Sequence, residues 1–201
     1  MDFKRIEKET IKQAFPQELE DALTSLFTKF EIETKRVAIG EEIVVLGNET
    51  VRIPSRIYWT PPTSLTSFKL TSLEKDLLNC IFTRHSNGFV RQEALKNIIN
   101  SNNYWVTPFI LLLAGEYVLA ILEDIYSCFD EITPSALSTF ILQNPIFYNR
   151  IKARIQSYWN CYYRIQFPEK IEHIKVSQDK RYVGFRLIDK LEDLLDGLSE
   201  S

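Results

Sequence analysis

Few residues in this chain have types and spacings suited to chemistry. It carries two histidines, His85 and His173, and three cysteines, Cys80, Cys128 and Cys161. No Cys-x-x-Cys pair occurs and neither histidine lies at a ligand interval from a cysteine, so no metal site and no disulfide framework is expected. The sequence has no Gly-rich phosphate loop, no Gly-x-Ser-x-Gly elbow and no metal-spaced carboxylate cluster. No cofactor is implied and no catalytic residue is singled out, which leans the reading away from an enzyme. Each cysteine sits among apolar neighbours, as reduced, buried thiols do in a cytoplasmic protein.

Two stretches remain. The first is "VTPFILLLAGEYVLAIL" (106–122), whose only charge is Glu116. A carboxylate in the middle of an apolar helix must be paired, protonated or open to a cleft. Arg91 or Arg84 are candidate partners for a buried, charge-assisted pair that fixes helix register. Tyr104 and Tyr117 are further donors. In a functional alternative, Glu116 lies at the base of a ligand pocket near Arg91 and His85 and acts as an acid or base. In a third, it is simply exposed at one edge. Residues 104–122 are about long enough to span a bilayer, but Pro108, Gly115 and Glu116 interrupt them. An acid at mid-bilayer costs about 2.5–3.5 kcal/mol, so a buried central helix over 106–129 is expected instead.

The second stretch is "NRIKARIQSYWNCYYR" (149–164). Between Pro145 and Arg186 there are nine Lys or Arg and three Asp or Glu, which leaves the rest of the chain strongly acidic behind a formal net charge of −3. A basic helix interleaved with Tyr and Trp has three readings. Its aromatic stripe can be core and its arginines a solvated face, paired with the acidic last helix (Asp189, Glu192, Asp193, Asp196). It can dock a protein with an acidic surface through Arg150, Arg154, Trp159, Tyr163 and Arg164, since Tyr, Trp and Arg serve as interface anchors. Or it can bind nucleic acid or another polyanion, with Arg150, Lys152, Arg154 and Arg164 on phosphates and an exposed Trp159 or Tyr163 stacking. A sequence pI near 5.6 disfavours the last. A non-catalytic interaction or scaffold role with a protein partner is the expectation.

The elements that position these residues follow from periodicity and turn chemistry. "FPQELEDALTSLFTKF" places Leu19, Ala22, Leu23, Leu26, Phe27 and Phe30 on one helical stripe. Val- and Ile-rich residues 36–60 predict a hairpin or small meander turning at Gly47-Asn48-Glu49, and Pro54 there suggests an edge strand or a bulge. "TPPTSLTS" (60–67) reads as a loop. "SLEKDLLNCIFTRH" opens on Ser72 as N-cap, and "GFVRQEALKNIIN" follows a turn at Ser86-Asn87-Gly88. Thr133-Pro134 caps the next helix. A long helix starts at Pro145, with Phe147, Ile151, Ile155, Tyr158, Trp159 and Tyr162 on one stripe. A second hairpin over 170–187, turning near Gln178-Asp179, leads to a final helix carrying Ile188, Leu191, Leu194, Leu195 and Leu198.

Val90, Arg91, Ala94, Leu95 and Ile98, on a helix entered through a polar turn, resemble the second half of a HEAT-type helical repeat unit. The resemblance covers residues 72–115, in a single copy. It implies a helical pair of the kind that usually serves binding. The fold class is therefore α+β, mainly helical, with a small N-terminal antiparallel β element. Hydrophobic residues at 45% and charged residues at 25% suit one globular domain over 1–201 with its helical core at 72–164.

Overall fold

The computed structural model describes residues 3–29, 39–60, 69–166 and 181–199. The protein is α+β and predominantly helical, with one two-stranded antiparallel sheet among the described residues. The chain divides into two compact units, Met1–Phe109 and Ile110–Ser201. No helix among the described residues is long and apolar enough to cross a membrane.

In the first unit, α1 (Phe3–Lys12) and a 3₁₀ turn (Gln17–Leu19) lead to α2 (Glu20–Lys29). Leu19, Leu23, Leu26 and Phe27 are buried as their spacing predicts; Phe30 falls outside the described residues. Strands β1 (Ile39–Leu46) and β2 (Glu49–Arg56) form the expected hairpin in a register that pairs Leu46 with Glu49 and Val44 with Val51. Its turn requires Gly47, whose φ of +62° suits a residue without Cβ. The side chains alternate. Val44, Leu46, Val51 and Ile53 are buried, and Ile43, Val45 and Arg52 are outside.

Helix α3 (Ser72–Phe82) is capped by Thr71, one residue before the expected Ser72. Thr71 wins because the Glu at N3 completes a reciprocal box with it: the Glu74 backbone N–H donates to the Thr71 hydroxyl at 3.1 Å, and the Thr71 N–H donates to Glu74 Oε2 at 2.8 Å. Helix α4 (Gly88–Ile98) starts where the turn signal places it. Asn87 is its cap, accepting from the Phe89 N–H at 2.9 Å. The two helices pack as a pair.

The apolar run departs from expectation. Instead of one helix over 106–129 it forms a 3₁₀ turn (Tyr104–Val106), α5 (Thr107–Ala114), a break at 115–118 and α6 (Leu119–Ser127). The division between the units falls inside α5. In the second unit this break lies close against α8: a Cβ on Gly115 would come 2.8 Å from Ile151 Cδ1, so the end of the Ile151 side chain would have to shift.

Helix α7 (Pro134–Gln143) begins after Thr133 with Pro134 at N1, although the Thr133 side chain makes no cap bond. Helix α8 (Pro145–Tyr158) is shorter than its pattern suggests and continues as a π-helical turn (Trp159–Tyr163) and a 3₁₀ turn (Arg164–Gln166). The final helix, α9 (Val183–Ser199), starts five residues before Ile188. Most of the predicted second hairpin lies outside the described residues, but Val183–Leu187, its expected return strand, is helical. The residues there do not alternate in and out: Tyr182, Val183, Phe185, Leu187 and Leu191 are all buried, so this end of the helix is enclosed on most sides.

Candidate functional site

Arg84, Arg91 and His85 all lie in the first unit, where they fasten the end of the hairpin to the turn between α3 and α4. Arg84 donates from Nε to the Pro54 carbonyl at 3.2 Å and from Nη2 to the Ser55 carbonyl at 2.9 Å. Arg91 donates from Nη1 to the carbonyls of His85 and Ser86 at 3.0 and 3.1 Å. A parallel bridge joins Ile57 to His85 beside them. The His85 ring accepts the Asn87 backbone N–H at Nδ1 (2.9 Å), which assigns the proton to Nε2, placed 2.7 Å from the Trp59 carbonyl. With both ring nitrogens engaged by backbone, His85 has no nitrogen to offer as an acid or base. Glu116 belongs to the second unit, in the break after α5, and is 4% exposed. It is therefore not mid-helix as the sequence suggests. Tyr104, another candidate donor, bonds Glu18 at 2.9 Å. Burial, that bond and the charges of Glu18 and Glu49 together push its hydroxyl up to about 12.

The first unit also has a shallow cleft of about 350 Å³ between α1, the first 3₁₀ turn and β2. Phe15, Pro16 and Leu23 form its floor and Glu9, Lys12, Glu49 and Arg52 its rim. The rim charges are largely matched: Lys12 lies 3.6 Å from Glu20, Arg52 meets Glu41 at 2.6 Å, and Glu49 accepts the Gln17 N–H at 2.8 Å. That leaves the cleft without a dominant charge.

The basic, aromatic stretch builds a more distinctive surface at the end of α8. Phe147, Ile151, Ile155 and Trp159 form its inward stripe. Trp159 is 3% exposed and packs on Phe185 of α9 with ring centroids 5.7 Å apart, so it is core and not the stacking platform the sequence suggests. Tyr163 is half-buried. Its ring stacks on Tyr182 at 5.2 Å, and its hydroxyl donates to the Tyr117 carbonyl at 2.6 Å. Burial, followed by the nearby Glu123 charge, raises the Tyr163 hydroxyl's pKa even though the Leu119 N–H opposes the shift.

That bond ties the α5–α6 break to the π turn and brings a third ring to the surface. Tyr117, Tyr158 and Tyr162 form a triangle with centroids 5.9, 5.9 and 6.1 Å apart. Tyr117 and Tyr162 are 48% and 57% exposed, and Ile165, three residues beyond Tyr162 in the chain, is 84% exposed. The Tyr158–Tyr162 spacing was visible in sequence, but the third member comes from forty residues upstream and had no local signal.

Arg150 and Arg164 are exposed and Arg154 is half-buried, its Cδ 3.5 Å from where a Gly115 Cβ would be. Residues 145–166 contain no Asp or Glu. Lys152 is committed to α9: it meets Glu192 at 2.8 Å and lies 4.6 Å from the Tyr148 ring centroid. The basic and acidic helices thus meet through Lys152, where the sequence pointed to Arg150 and Arg154. Cys161 in the π turn is exposed and Cys128 half-buried, so only Cys80 of the three thiols is buried as expected. No group of three or more potential ligands is positioned to hold a metal among the described residues. No family model, curated protein or solved structure matches the chain.

Proposed function

We propose that this is a non-catalytic interaction protein that binds a protein partner through the surface where α8 ends. One observation carries the reading: three tyrosines are already packed against one another, two of them, Tyr117 and Tyr162, open to solvent, and they adjoin a basic stretch with no acid in it. Pre-packed aromatic rings lose little conformational entropy on binding and offer large apolar area with a polar tip, which is the make-up of an interface anchor. Arg150, Arg154 and Arg164 supply the charge and Tyr163 the brace; Trp159 supports the surface from beneath. The α3–α4 pair, with Arg91 of α4 bonded to the carbonyls of the turn between them, is in keeping with a HEAT-like helical pair used as scaffold. A cytoplasmic location suits a chain whose three cysteines are free thiols.

The test is capture from source lysate by wild type, by an Arg150→Glu/Arg154→Glu variant and by Tyr162→Ala, each confirmed folded by circular dichroism, with and without nuclease. A protein retained by wild type, indifferent to nuclease and lost by both variants is the expected result. Capture that nuclease abolishes transfers the surface to nucleic acid, and capture equal in all three removes it from the reading.

A further inference from the structure

We infer that Arg186 and Lys190 of α9 form a receptor for a terminal, dianionic phosphate group, a second site that shares no residue with the tyrosine surface. The two residues are one turn apart, so their side chains are neighbours on the helix. Both reach the same aromatic patch, made by α6 and the 3₁₀ turn that follows it (Phe129–Glu131). The Arg186 guanidinium carbon lies 4.6 Å from the Tyr126 ring centroid. Lys190 Nζ lies 5.0 Å from that centroid and 5.0 Å from that of Phe129. Cations one turn apart repel each other, and the rings attract each of them without cancelling either charge.

Carboxylates of the described residues leave this patch with charge unspent. Arg186 Nε is buried without a hydrogen-bond partner, and no acid among the described residues pairs with the guanidinium. That arginine has lost part of its hydration and gained only the face of a ring, so its N–H fork still calls for an acceptor. Lys190 meets Asp130 at 3.1 Å, but Asp130 is 86% exposed, and water and salt screen such a pair. No other carboxylate of the described residues pairs with either cation; Asp124 and Asp189, on the two helices, have partners of their own. Arg186, Lys190 and Tyr126 are half-buried, which keeps the patch within reach of solvent. The ligand follows from the donor set. A guanidinium seated on a ring holds its fork in a fixed plane, ready for two oxygens of one anion. A carboxylate has only those two to give. A phosphate monoester carries about −1.5 to −2 charges at pH 7 and three acceptor oxygens, so it fills the fork and still reaches the Lys190 ammonium. Free phosphate and a phosphorylated side chain of a partner present the same group, and the experiment separates them.

The experiment uses the full chain. Sodium phosphate is titrated at neutral pH with ionic strength held constant by sodium chloride. Proton–nitrogen NMR follows the Arg186 Nε–H, identified by its loss in Arg186→Gln, and the backbone amide of Lys190. The expected result is a saturable shift of both that acetate does not produce. A phosphoserine peptide and its serine and glutamate forms are titrated in the same way, and only the first should act as phosphate does. Affinity for that peptide about tenfold or more above that for phosphate assigns the site to a phosphorylated partner, and equal or lower affinity to free phosphate. Arg186→Gln should abolish saturation at Lys190, and Arg186→Lys, which keeps the charge and loses the fork, should not restore it. Lys190→Gln should weaken binding about two- to fivefold, the size of an exposed ion pair, and Asp130→Asn, by freeing Lys190, should strengthen it by a similar factor. Circular dichroism confirms folding; Asp130 is largely exposed, so its variant tests the site even where Arg186→Gln does not fold. No saturation, an equal response to acetate, or indifference to both Lys190→Gln and Asp130→Asn overturns the inference. An oligothymidine that displaces phosphate and binds more tightly overturns it also, giving the cations to a nucleic-acid backbone. Tyr162→Ala should leave phosphate binding unchanged, so failure of this site and failure of the protein-binding surface are read separately.

Discussion

Glu74 offers a prediction whose size can be worked from geometry. Its side chain is 4% exposed, and its two oxygens divide three donors. Oε1 accepts from the Ser25 hydroxyl at 2.8 Å and from Lys29 Nζ at 2.5 Å, and Oε2 accepts the Thr71 N–H at 2.8 Å. These bonds, led by that from Lys29, hold the carboxyl at about 2, below its ordinary 4.5 and against the effect of burial. At about 1.4 kcal/mol per pH unit the difference corresponds to roughly 3 kcal/mol of folded-state stability at neutral pH. That is an upper bound, because Lys29 is about a third exposed and partly screened, so about 1–3 kcal/mol is expected. Glu74→Gln removes the charge, and whichever way its amide turns, an NH₂ faces a donor that previously had an acceptor. Because the folded-state pKa is depressed, the stabilisation is complete above about pH 5 and is lost as pH falls from there towards 2. Urea denaturation of wild type and Glu74→Gln across that range should therefore give curves about 1–3 kcal/mol apart at pH 7 that converge on acidification. A gap that is constant with pH, or under about 0.5 kcal/mol at pH 7, would refute the assignment of the depressed carboxyl to this cluster.

Three further expectations concern the second unit and the thiols. The Tyr182 hydroxyl is buried with no hydrogen-bond partner among the described residues, so Tyr182→Phe should be neutral or stabilising by up to about 1 kcal/mol in chemical denaturation. A loss of more than that would mean the hydroxyl is paired. Gly184→Ala would put a Cβ 2.5 Å from Tyr182 Cε1 and 2.7 Å from Ile155 Cγ2; overpacking should cost about 1–3 kcal/mol despite alanine's better helix propensity, and an unchanged midpoint would contradict that packing. Cys161 is exposed, whereas Cys80 is fully buried and burial raises its thiol's pKa; mass spectrometry after brief alkylation should find Cys161 modified and Cys80 untouched until denaturant is added.

What the sequence made legible is what local chemistry decides. The Gly47-Asn48 turn, the α3–α4 pair and the start of α7 behind Thr133-Pro134 all rest on residues a few positions apart, and they form where expected. The helical opening of the chain, α1, carries Phe3, Ile6 and Ile11 at helical spacing, but the dense charges between them leave that pattern short. The departures share one feature. The apolar run breaks where Gly115 comes close against Ile151, and α8 gives way to a π turn where Trp159 packs on Phe185. In both places the departure coincides with a contact to a residue far along the chain, which local sequence cannot show.

That feature also bears on the candidate site. In the sequence, Trp159, Tyr163 and the arginines of α8 look like the surface. In the structure Trp159 is core, Tyr163 is a brace, and exposed Tyr117 and Tyr162 meet half-buried Tyr158 in a triangle of rings. The two breaks in helical register are what bring the three rings together: one frees Tyr117 from α5, and the other separates Trp159 from Tyr162. An uninterrupted 106–129 helix would carry no break at Gly115–Val118 to bring Tyr117 to α8, and would leave Tyr158 and Tyr162 as an ordinary i, i+4 pair. The binding reading therefore depends on the same long-range contacts that defeated the local one. Filling the Gly115 position should disturb the surface as well as the fold, with Gly115→Ala weakening capture even where circular dichroism shows the helices intact.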